Sequence, residues 1–253
     1  MEKISVVIIT YNEEKNIARC IESVKDIADE ILVIDSFSTD KTKEISTRYE
    51  VRFFEHPFEG YMQQKLWATN QATYDIILSL DADEVISPEL KSSLLAVKEN
   101  FEADGYTFNR LTNYLGKWIK HCGWYPDTKL RLWNRKKGNW TGINLHEHVQ
   151  LAPDAHVKHL HGDLLHYSYY SIAQHINQFN KFTDIGAQEA FIKNKKASLG
   201  IALLKSCWKF MRDYFLKLGF LDGYYGFLIC KISAFATFAK YIKLKELKKN
   251  AGN

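Results

Sequence analysis

Three carboxylates follow a run of apolar residues at one point of the chain. Asp81, Asp83 and Glu84 come directly after the segment "DIILSL" (75–80). A short acidic motif of this kind is most often a solvated turn or a helix cap, so it has low specificity by itself. The alternative is a ligand set, because two aspartates two positions apart at a strand end can face one divalent cation with bound phosphate oxygens. Both interpretations stay open on these residues alone.

The elements that must position these carboxylates form a repeating pattern. "TYNE" (10–13) follows the first apolar run of the chain and "DSFSTD" (35–40) follows the second. Strands rich in Val, Ile and Leu, without polar alternation, predict a parallel sheet that is buried on both faces. Ligands of such sheets bind at the carboxyl ends of the strands, where all these polar segments lie. The apolar runs, which alternate with helical segments, occupy residues 4–10, 30–35, 51–55 and 75–80.

Two helix starts are predicted from local chemistry. Asn12 is a natural N-cap for a first helix, with Glu13 in its first turn. Ser87 is predicted to cap a later helix that has Pro88 at its first position, where a missing N–H costs nothing. The first hundred residues therefore predict an open α/β sheet flanked by helices.

The later part of the chain changes character. Residues 105–150 contain short aromatic segments with Gly and Asn turns, which predict antiparallel strands. After residue 164 the pattern predicts helix to the end of the chain. Between 198 and 218, apolar residues recur at intervals of three and four, flanked by Lys205, Lys209 and Arg212. The stripe consists of Ile201, Leu204, Trp208, Met211, Phe215 and Leu218.

Charge is distributed unevenly along the chain. Residues 1–192 hold 21 Lys+Arg and 27 Asp+Glu, whereas residues 193–253 hold 13 and 3. A basic, aromatic tail favours an anionic membrane surface, while the absence of a base-recognition motif argues against nucleic acid. A stripe that packs on the rest of the protein, with lysines facing water, is the alternative. The acidic, short apolar start does not match a secretory signal, and the four widely spaced cysteines are typical of reduced thiols, so we expect a cytoplasmic protein.

Three successive segments resemble the motifs of the family 2 inverting glycosyltransferases. They are "SVVIITYNEEKNIARCIESV", "EILVIDSFSTDKT" and "DIILSLDADE". The segment "GKWIKHCGWYPDTKLRLWNRKKGNWTGINLHEHV" is similar to the subgroup that adds glucose or a related sugar to the lipopolysaccharide inner core. The resemblance implies an α/β GT-A fold with a mostly parallel sheet and a basic helical C-terminal extension. It predicts a catalytic domain over residues 1–160, with a nucleotide-sugar half (1–104) and an acceptor half (105–160). A helical region over 161–253 would contact the inner face of the cytoplasmic membrane.

The same resemblance implies roles on the donor side. Asp35 would recognise the uracil or ribose. Many relatives have two aspartates where this chain has Asp35 and Ser36, so Asp40 is a candidate for the second contact, with helix capping as its alternative. Lys65 lies where relatives place a polar residue near the donor, and a solvated helix face is equally compatible with it. Further residues that would line the donor site are Thr10, Tyr11, Asn12, Glu13, Asp81 and Ala82.

The resemblance also implies a divalent metal, Mg²⁺ or Mn²⁺, bound by Asp83 together with Asp81. It would stabilise the negative charge that develops on the leaving diphosphate. Several related enzymes use a late histidine as a further metal ligand. The candidates here are His146, His161 and His166, although each singly is more often a satisfied or solvated histidine.

An inverting transfer needs a base that removes the proton of the acceptor hydroxyl, and this carboxylate must stand apart from the metal. Glu147 is the first candidate and Asp127 the rival, and a surface or structural acid is the alternative interpretation of Glu147. Trp124, Trp133 and Arg131 would line the acceptor side, since aromatic faces pack on sugars and Arg pairs with phosphate. Core packing is equally compatible with the two tryptophans, and Asp127 is also expected on the acceptor side.

The predicted function is metal-dependent transfer of a hexose, glucose foremost, from a UDP-sugar to a lipopolysaccharide-core or other lipid-linked saccharide. Two alternatives belong to other classes: a non-catalytic nucleotide-sugar-binding protein, and a sugar nucleotidyltransferase. The second usually has a Gly-rich basic loop after its first strand, which "TYNEEKN" lacks.

Overall fold

The structure is a computed structural model that describes residues 1–142 and 147–251. The chain folds into two units. The first unit contains Met1–Arg110 and Asp127–Tyr167, and the second contains Leu111–Pro126 and the segment from Ser168 onward.

The first unit holds most of the strands and four of the described helices. The helices are α1 (Ile17–Val24), α2 (Thr42–Ser46), α3 (Tyr61–Asn70) and α4 (Pro88–Glu99). The strands that begin in this unit are β1 (Ile4–Thr10), β2 (Glu30–Asp35), β3 (Arg52–Glu55), β4 (Ile76–Asp81), β5 (Glu84–Ile86), β6 (Gly105–Tyr114), β8 (Asp127–Asn134), β9 (Gly138–Thr141), β10 (His148–Leu151) and β11 (Val157–Tyr169).

The sheet has the order β3-β2-β1-β4-β8-β6-β11-β5. The first four strands are parallel, and β8 then joins β4 in the antiparallel sense, as β6 joins β8. The predicted α/β fold with an antiparallel later part is therefore confirmed. The strands β9 and β10 form a separate antiparallel hairpin.

Both faces of β1, β2 and β4 are buried, which explains their continuous apolar sequence. On β1, Val6 and Ile8 contribute to one core cluster, whereas Val7 and Ile9 contribute to the other. Residues of α1 and α4 complete the first cluster. Ala68 of α3 completes the second, together with residues of the β9–β10 hairpin. This second core brings α3 and the hairpin together on one face of the sheet.

The second unit is mainly helical. It contains β7 (Lys117–Ile119), which pairs with the end of β6, and the helices α5 (Ile172–Ile192), α6 (Leu199–Met211) and α7 (Gly223–Ala251). A π-helical turn (Arg212–Leu216) and a 3-10 turn (Gly219–Asp222) connect α6 to α7. None of the helices in the described part of the chain combines the length and the hydropathy that crossing a bilayer requires.

Some local predictions hold and others are wrong. Ser87 caps α4 as predicted, since its hydroxyl accepts from the N–H of Leu90 and Pro88 begins the helix. Asn12 is not an N-cap, because α1 begins at Ile17 and Asn12 has φ 54°. Its backbone and side chain are instead bonded to the loop after β2. Helix was also predicted from residue 164, but β11 extends to Tyr169 because its pairing with β5 continues through residues 164–166.

Candidate active site

Asp81 lies between two buried cations at the carboxyl end of β4. Its Oδ1 lies 3.1 Å from Nζ of Lys65, and its Oδ2 lies 3.2 Å from Nη2 of Arg131. Lys65 and Arg131 are 2 % and 4 % exposed. Although burial favours the neutral acid, these cations hold the pKa of Asp81 well below its usual range. The carboxylate is therefore ionised and fixed in place.

Lys65 connects Asp81 to Glu147, the candidate base. Its Nζ lies 3.2 Å from Oε1 of Glu147, a residue 82 positions away in the chain. The ammonium group also lies 4.9 Å from the ring centroid of Trp140. This contact follows from packing, because α3 carries Lys65 and shares a core with β9 and β10, which flank Glu147. The structure thus brings together a predicted donor-side residue and the predicted base.

Glu84 fixes the loop that carries the aspartates. Its side chain is fully buried and accepts a hydrogen bond of 2.9 Å from the N–H of Asp81. Nη2 of Arg131 lies 3.1 Å from Oε1 of Glu84, and Nη1 of Arg110 lies 3.4 Å from the same oxygen. A buried carboxylate with two guanidinium partners and a backbone donor is a structural anchor. Arg110 was not predicted as a site residue, because its contact with Glu84, 26 positions away, depends on the pairing of strands.

Asp83 faces a histidine from β11. Its Oδ2 lies 3.2 Å from Nε2 of His166, and its carbonyl accepts from the N–H of Tyr167. Strand pairing explains this contact, since His166 lies opposite Glu84 in the β5–β11 register. Burial would lower the pKa of His166, but the carboxylate of Asp83 raises it above its ordinary value.

The pair of Asp83 and His166 has a donor set that fits a divalent cation, one carboxylate oxygen and one imidazole nitrogen. Within residues 1–142 and 147–251, no three His, Cys, Asp or Glu side chains converge on one cation position. Two protein ligands suit a metal whose other positions are filled by phosphate oxygens and water. Of the other histidine candidates, His161 is exposed and His146 lies outside the described residues.

The segment after β1 presents polar groups at the same sheet edge. Thr10 is buried at the end of the strand, and its hydroxyl has no hydrogen-bond partner among the described residues. Tyr11 is 57 % exposed. Burial, and after it the charge of Asp83, raises the pKa of Glu13 to about 7. Asn12 accepts from the N–H of Thr39 through its Oδ1, at 2.8 Å.

The two predicted acids after β2 accept hydrogen bonds from their own loop, and Asp40 also accepts one from the segment after β1. Asp35 is fully buried and accepts a hydrogen bond of 2.8 Å from the N–H of Ser38. Asp40 accepts from the N–H of Thr42 at 2.9 Å and from the N–H of Glu14 at 3.1 Å. These contacts fix the loop beside the segment after β1. Ala82, also predicted on the donor side, is buried and donates its N–H to Ile9.

The predicted acceptor-side residues occupy different places. Arg131 lies in the charged cluster, which consists of Lys65, Asp81, Glu84, Arg131 and Glu147. Asp127 pairs with Arg110, whose Nη2 and Nε lie 2.8 and 3.0 Å from Oδ2 of Asp127. Although burial opposes ionisation, this guanidinium holds the pKa of Asp127 below its usual range. Trp124 belongs to the second unit, where it packs in an aromatic cluster with Tyr114 and His175.

A protein-family model describes this architecture. The model for "Glycosyl transferase family 2" matches residues 5–152, which include the loops and strands that carry the cluster. The chain belongs to glycosyl transferase family 2. The predicted family resemblance is confirmed, and the protein is a glycosyltransferase.

Two glycosyltransferases with similar sequences match nearly the whole chain. An uncharacterized glycosyltransferase of Rickettsia typhi is 34 % identical over 100 % of this chain and 90 % of its own length. The lipopolysaccharide core biosynthesis glycosyltransferase LpsC of Rhizobium meliloti is 29 % identical over 97 % of this chain and 94 % of its own.

Solved structures show more distant likeness. Residues 1–349 of S. aureus TarS, in complex with UDP-GlcNAc, match 93 % of this chain and 80 % of that chain at 18 % identity, with a TM-score of 0.47. Glucosyl-3-phosphoglycerate synthase of Mycobacterium tuberculosis matches 44 % of each chain with a TM-score of 0.38. The sequence matches, and not these likenesses, establish the family.

Proposed function

We propose that this glycosyltransferase moves a hexose, glucose foremost, from a UDP-sugar to a lipopolysaccharide-core or other lipid-linked saccharide, with inversion at the anomeric carbon. The acceptor class is supported by the similarity to LpsC over almost the full chain. The observation that carries the proposed chemistry is the buried cluster in which Lys65 contacts both Asp81 and Glu147.

Glu147 is the proposed base. Its carboxylate takes the proton of the acceptor hydroxyl, while the hydroxyl oxygen forms a bond to the anomeric carbon of the donor. The bond between that carbon and the diphosphate oxygen breaks in the same step, and its electron pair leaves with UDP. The hydroxyl oxygen attacks the face of the anomeric carbon opposite the diphosphate, so the configuration inverts and no sugar becomes bonded to the protein.

Two observations favour Glu147 over Asp127. Glu147 has an ammonium partner in contact with the end of β4, whereas Asp127 is paired with both Arg110 and Lys129. A carboxylate with two cationic partners is a weak proton acceptor, because both stabilise its charged form. Asp127 is therefore the better candidate for orienting Arg110, which in turn contacts Glu84.

Asp83 and His166 would hold a divalent metal in this proposal. When bound, such a metal would offset the negative charge of the leaving diphosphate. Asp81 is already paired with two cations, so its proposed part is to hold Lys65 and Arg131 near the diphosphate. These two side chains supply fixed positive charge in a buried environment, where it acts most strongly.

The donor nucleoside is proposed to lie along the loops after β1 and β2. The unpaired hydroxyl of Thr10 supports this position, because a buried hydroxyl without a partner among the described residues is costly unless a ligand completes it. The exposed ring of Tyr11 is available to the base or ribose. Asp35 and Asp40 then contribute by shaping the loop, with Asp35 still proposed to contact the uracil or ribose.

A lipid-linked acceptor also implies a place in the cell. We propose that the protein works at the inner face of the cytoplasmic membrane and that its basic C-terminal helices contact anionic lipid. The excess of cations after residue 192 supports this position.

A donor screen tests the proposal. UDP release is measured for a panel of UDP-sugars with acceptor extracts, with and without Mn²⁺, and GDP- and dTDP-sugars serve as controls. We expect turnover with a UDP-hexose that needs both the metal and the glycolipid extract. Pyrophosphate formation from UTP and a sugar phosphate would instead support a nucleotidyltransferase. Nucleotide-sugar binding without turnover would support a binding protein.

A further inference from the structure

Large apolar side chains are exposed where α6 turns into α7. Between Phe215 and Tyr224, six of them are 44–68 % exposed within ten residues. We call this segment (215–224) the apolar tip. Its exposed members are Phe215, Leu216, Leu218, Phe220, Leu221 and Tyr224.

The exposed apolar surface continues along α6. Leu204, Trp208 and Met211 are 74 %, 59 % and 49 % exposed, and they lie on one side of the helix at spacings of four and three. The predicted helical stripe is therefore present, but these side chains face solvent. Apolar surface of this extent on a folded chain marks an interaction site.

The tip is held in shape from within. Tyr214 stacks on Phe210 with ring centroids 5.3 Å apart, and it contacts Phe227 of α7 at 5.9 Å. The half-buried ring of Tyr214 also lies 5.1 Å from the exposed Phe215 and 6.2 Å from the exposed Phe220. The exposed side chains are presented by an ordered helical hairpin.

Both acids of this region point inward. Asp213 and Asp222 are 2 % and 4 % exposed. Asp213 pairs with Lys209 and Arg212, while Asp222 accepts from the N–H of His121 at 2.8 Å. These are the only acidic side chains between residues 193 and 231, a segment that contains eight Lys and Arg. The exposed charged side chains of this segment are consequently all lysines.

We propose that the apolar tip inserts into the interfacial region of an anionic bilayer, with the stripe of α6 lying along the lipid surface. An apolar face bordered by cations complements a surface of anionic headgroups over acyl chains. The segment exposes lysines and no acids, which favours an anionic lipid surface over a protein partner of ordinary, mixed charge. This inference rests on the membrane contact proposed above. It adds that apolar side chains of the tip enter the bilayer, so that the contact does not depend on charge alone.

Vesicle sedimentation tests the insertion. The full chain is mixed with phosphatidylcholine vesicles, with or without phosphatidylglycerol, at low and high salt. We expect binding to the anionic vesicles that high salt weakens but does not abolish, because apolar contacts are not screened. Leu216→Ser/Leu221→Ser should weaken this binding about tenfold or more, since two large side chains leave the bilayer. Leu95→Ser, on α4 of the first unit, is the matched control.

Each other outcome contradicts the inference. Vesicle binding that survives in the double variant, or that disappears entirely at high salt in the unmodified protein, would reduce the contact to charge. Dimers that the double variant turns into monomers, without vesicle binding, would assign the tip to a second copy of the chain. Turnover of a delipidated saccharide acceptor, expected unchanged in the double variant, tests the proposed glycosyl transfer separately. Circular dichroism checks that both variants fold.

Discussion

At the scale of single residues, Lys65 joins the two halves of the proposed chemistry. Its ammonium lies 3.1 Å from Asp81 and 3.2 Å from Glu147, and it is almost fully buried. Removing one member of a buried charge network leaves the others uncompensated, which costs far more than losing a surface pair. Lys65 is therefore expected to matter for both folding and turnover.

Lys65→Met should lower the free energy of unfolding by about 2–3 kcal/mol. It should also lower the rate of UDP release by about 100-fold. Urea denaturation and the UDP-release assay measure the two effects. Lys43→Met is the control, because its pair with Glu55 is exposed and should be worth less than about 1 kcal/mol. Equal effects of the two substitutions would contradict the assigned role.

His175 gives a prediction about pH. Burial lowers its pKa from 6.5 to about 4. Between these values the unfolded chain binds a proton that the folded chain does not, so this residue makes stability fall as pH decreases from 6.5 towards 4. The Tm of His175→Gln should therefore decrease less between neutral pH and about pH 4.5 than the Tm of the unmodified protein. His161→Gln, at an exposed position, should show the ordinary loss, and a parallel decline in all three proteins would refute the prediction.

At the scale of elements, β11 positions His166 by passing close to the start of α4. Gly162 has φ +100°, and a Cβ built there would lie 2.2 Å from the backbone nitrogen of Leu90. No side chain fits between these two backbones. The approach fixes where the following residues of β11 meet β5 and Asp83.

Gly162→Ala is expected to lower the free energy of unfolding by about 3 kcal/mol, because the backbone strain and the steric overlap at this position both destabilise the fold. The substitution should also reduce metal-dependent turnover, since His166 lies four residues on. Gly116→Ala provides the comparison: φ is +90° there, but no atom lies within 4 Å, so only about 1–2 kcal/mol of strain is expected. Thermal unfolding of both variants measures the difference. Similar losses would mean that the close approach contributes nothing.

Sequence periodicity was sufficient for the four parallel strands, β1 to β4, and for the edge of the sheet at which the site lies. The Ser87–Pro88 helix start was also predictable, because its contacts are local. Contacts between distant segments were not predictable from one sequence. The pairs Lys65–Glu147 and Asp83–His166 depend on how α3, the β9–β10 hairpin and β11 meet the sheet. Asn12 shows the same limit. It was predicted to cap a helix, but it bonds instead to Ser38 and Thr39 in the loop after β2.

At the scale of the whole molecule, the two units correspond to different proposed tasks. The first unit contains the charged cluster and the sheet edge, and the second contains the aromatic core, the apolar tip and most of the excess positive charge. The charge asymmetry of the sequence begins only after residue 192, whereas the second unit already includes residues 111–126 and 168–192. The sequence did not reveal that both acids near the tip are buried, because burial depends on the fold of the helical hairpin.

Ligand binding should stabilise the whole chain in a metal-dependent way. UDP with Mn²⁺ at about 100 times the dissociation constant should raise the free energy of unfolding by about 2.7 kcal/mol. In Asp83→Ala the same mixture should have a much smaller effect, whereas GDP with Mn²⁺ should have little effect on either protein. Differential scanning fluorimetry measures the shifts. An undiminished shift in Asp83→Ala would remove this residue from the metal site.

The most direct test of the account is single-turnover transfer by Glu147→Gln and Asp127→Asn, with UDP affinity measured on the same preparations. The amide at position 147 cannot accept the proton, so we expect transfer to fall by about 10²–10⁴-fold while UDP still binds. Asp127→Asn should keep most of the activity. Full transfer by Glu147→Gln, or a larger loss in Asp127→Asn with intact folding, would contradict the assignment of the base.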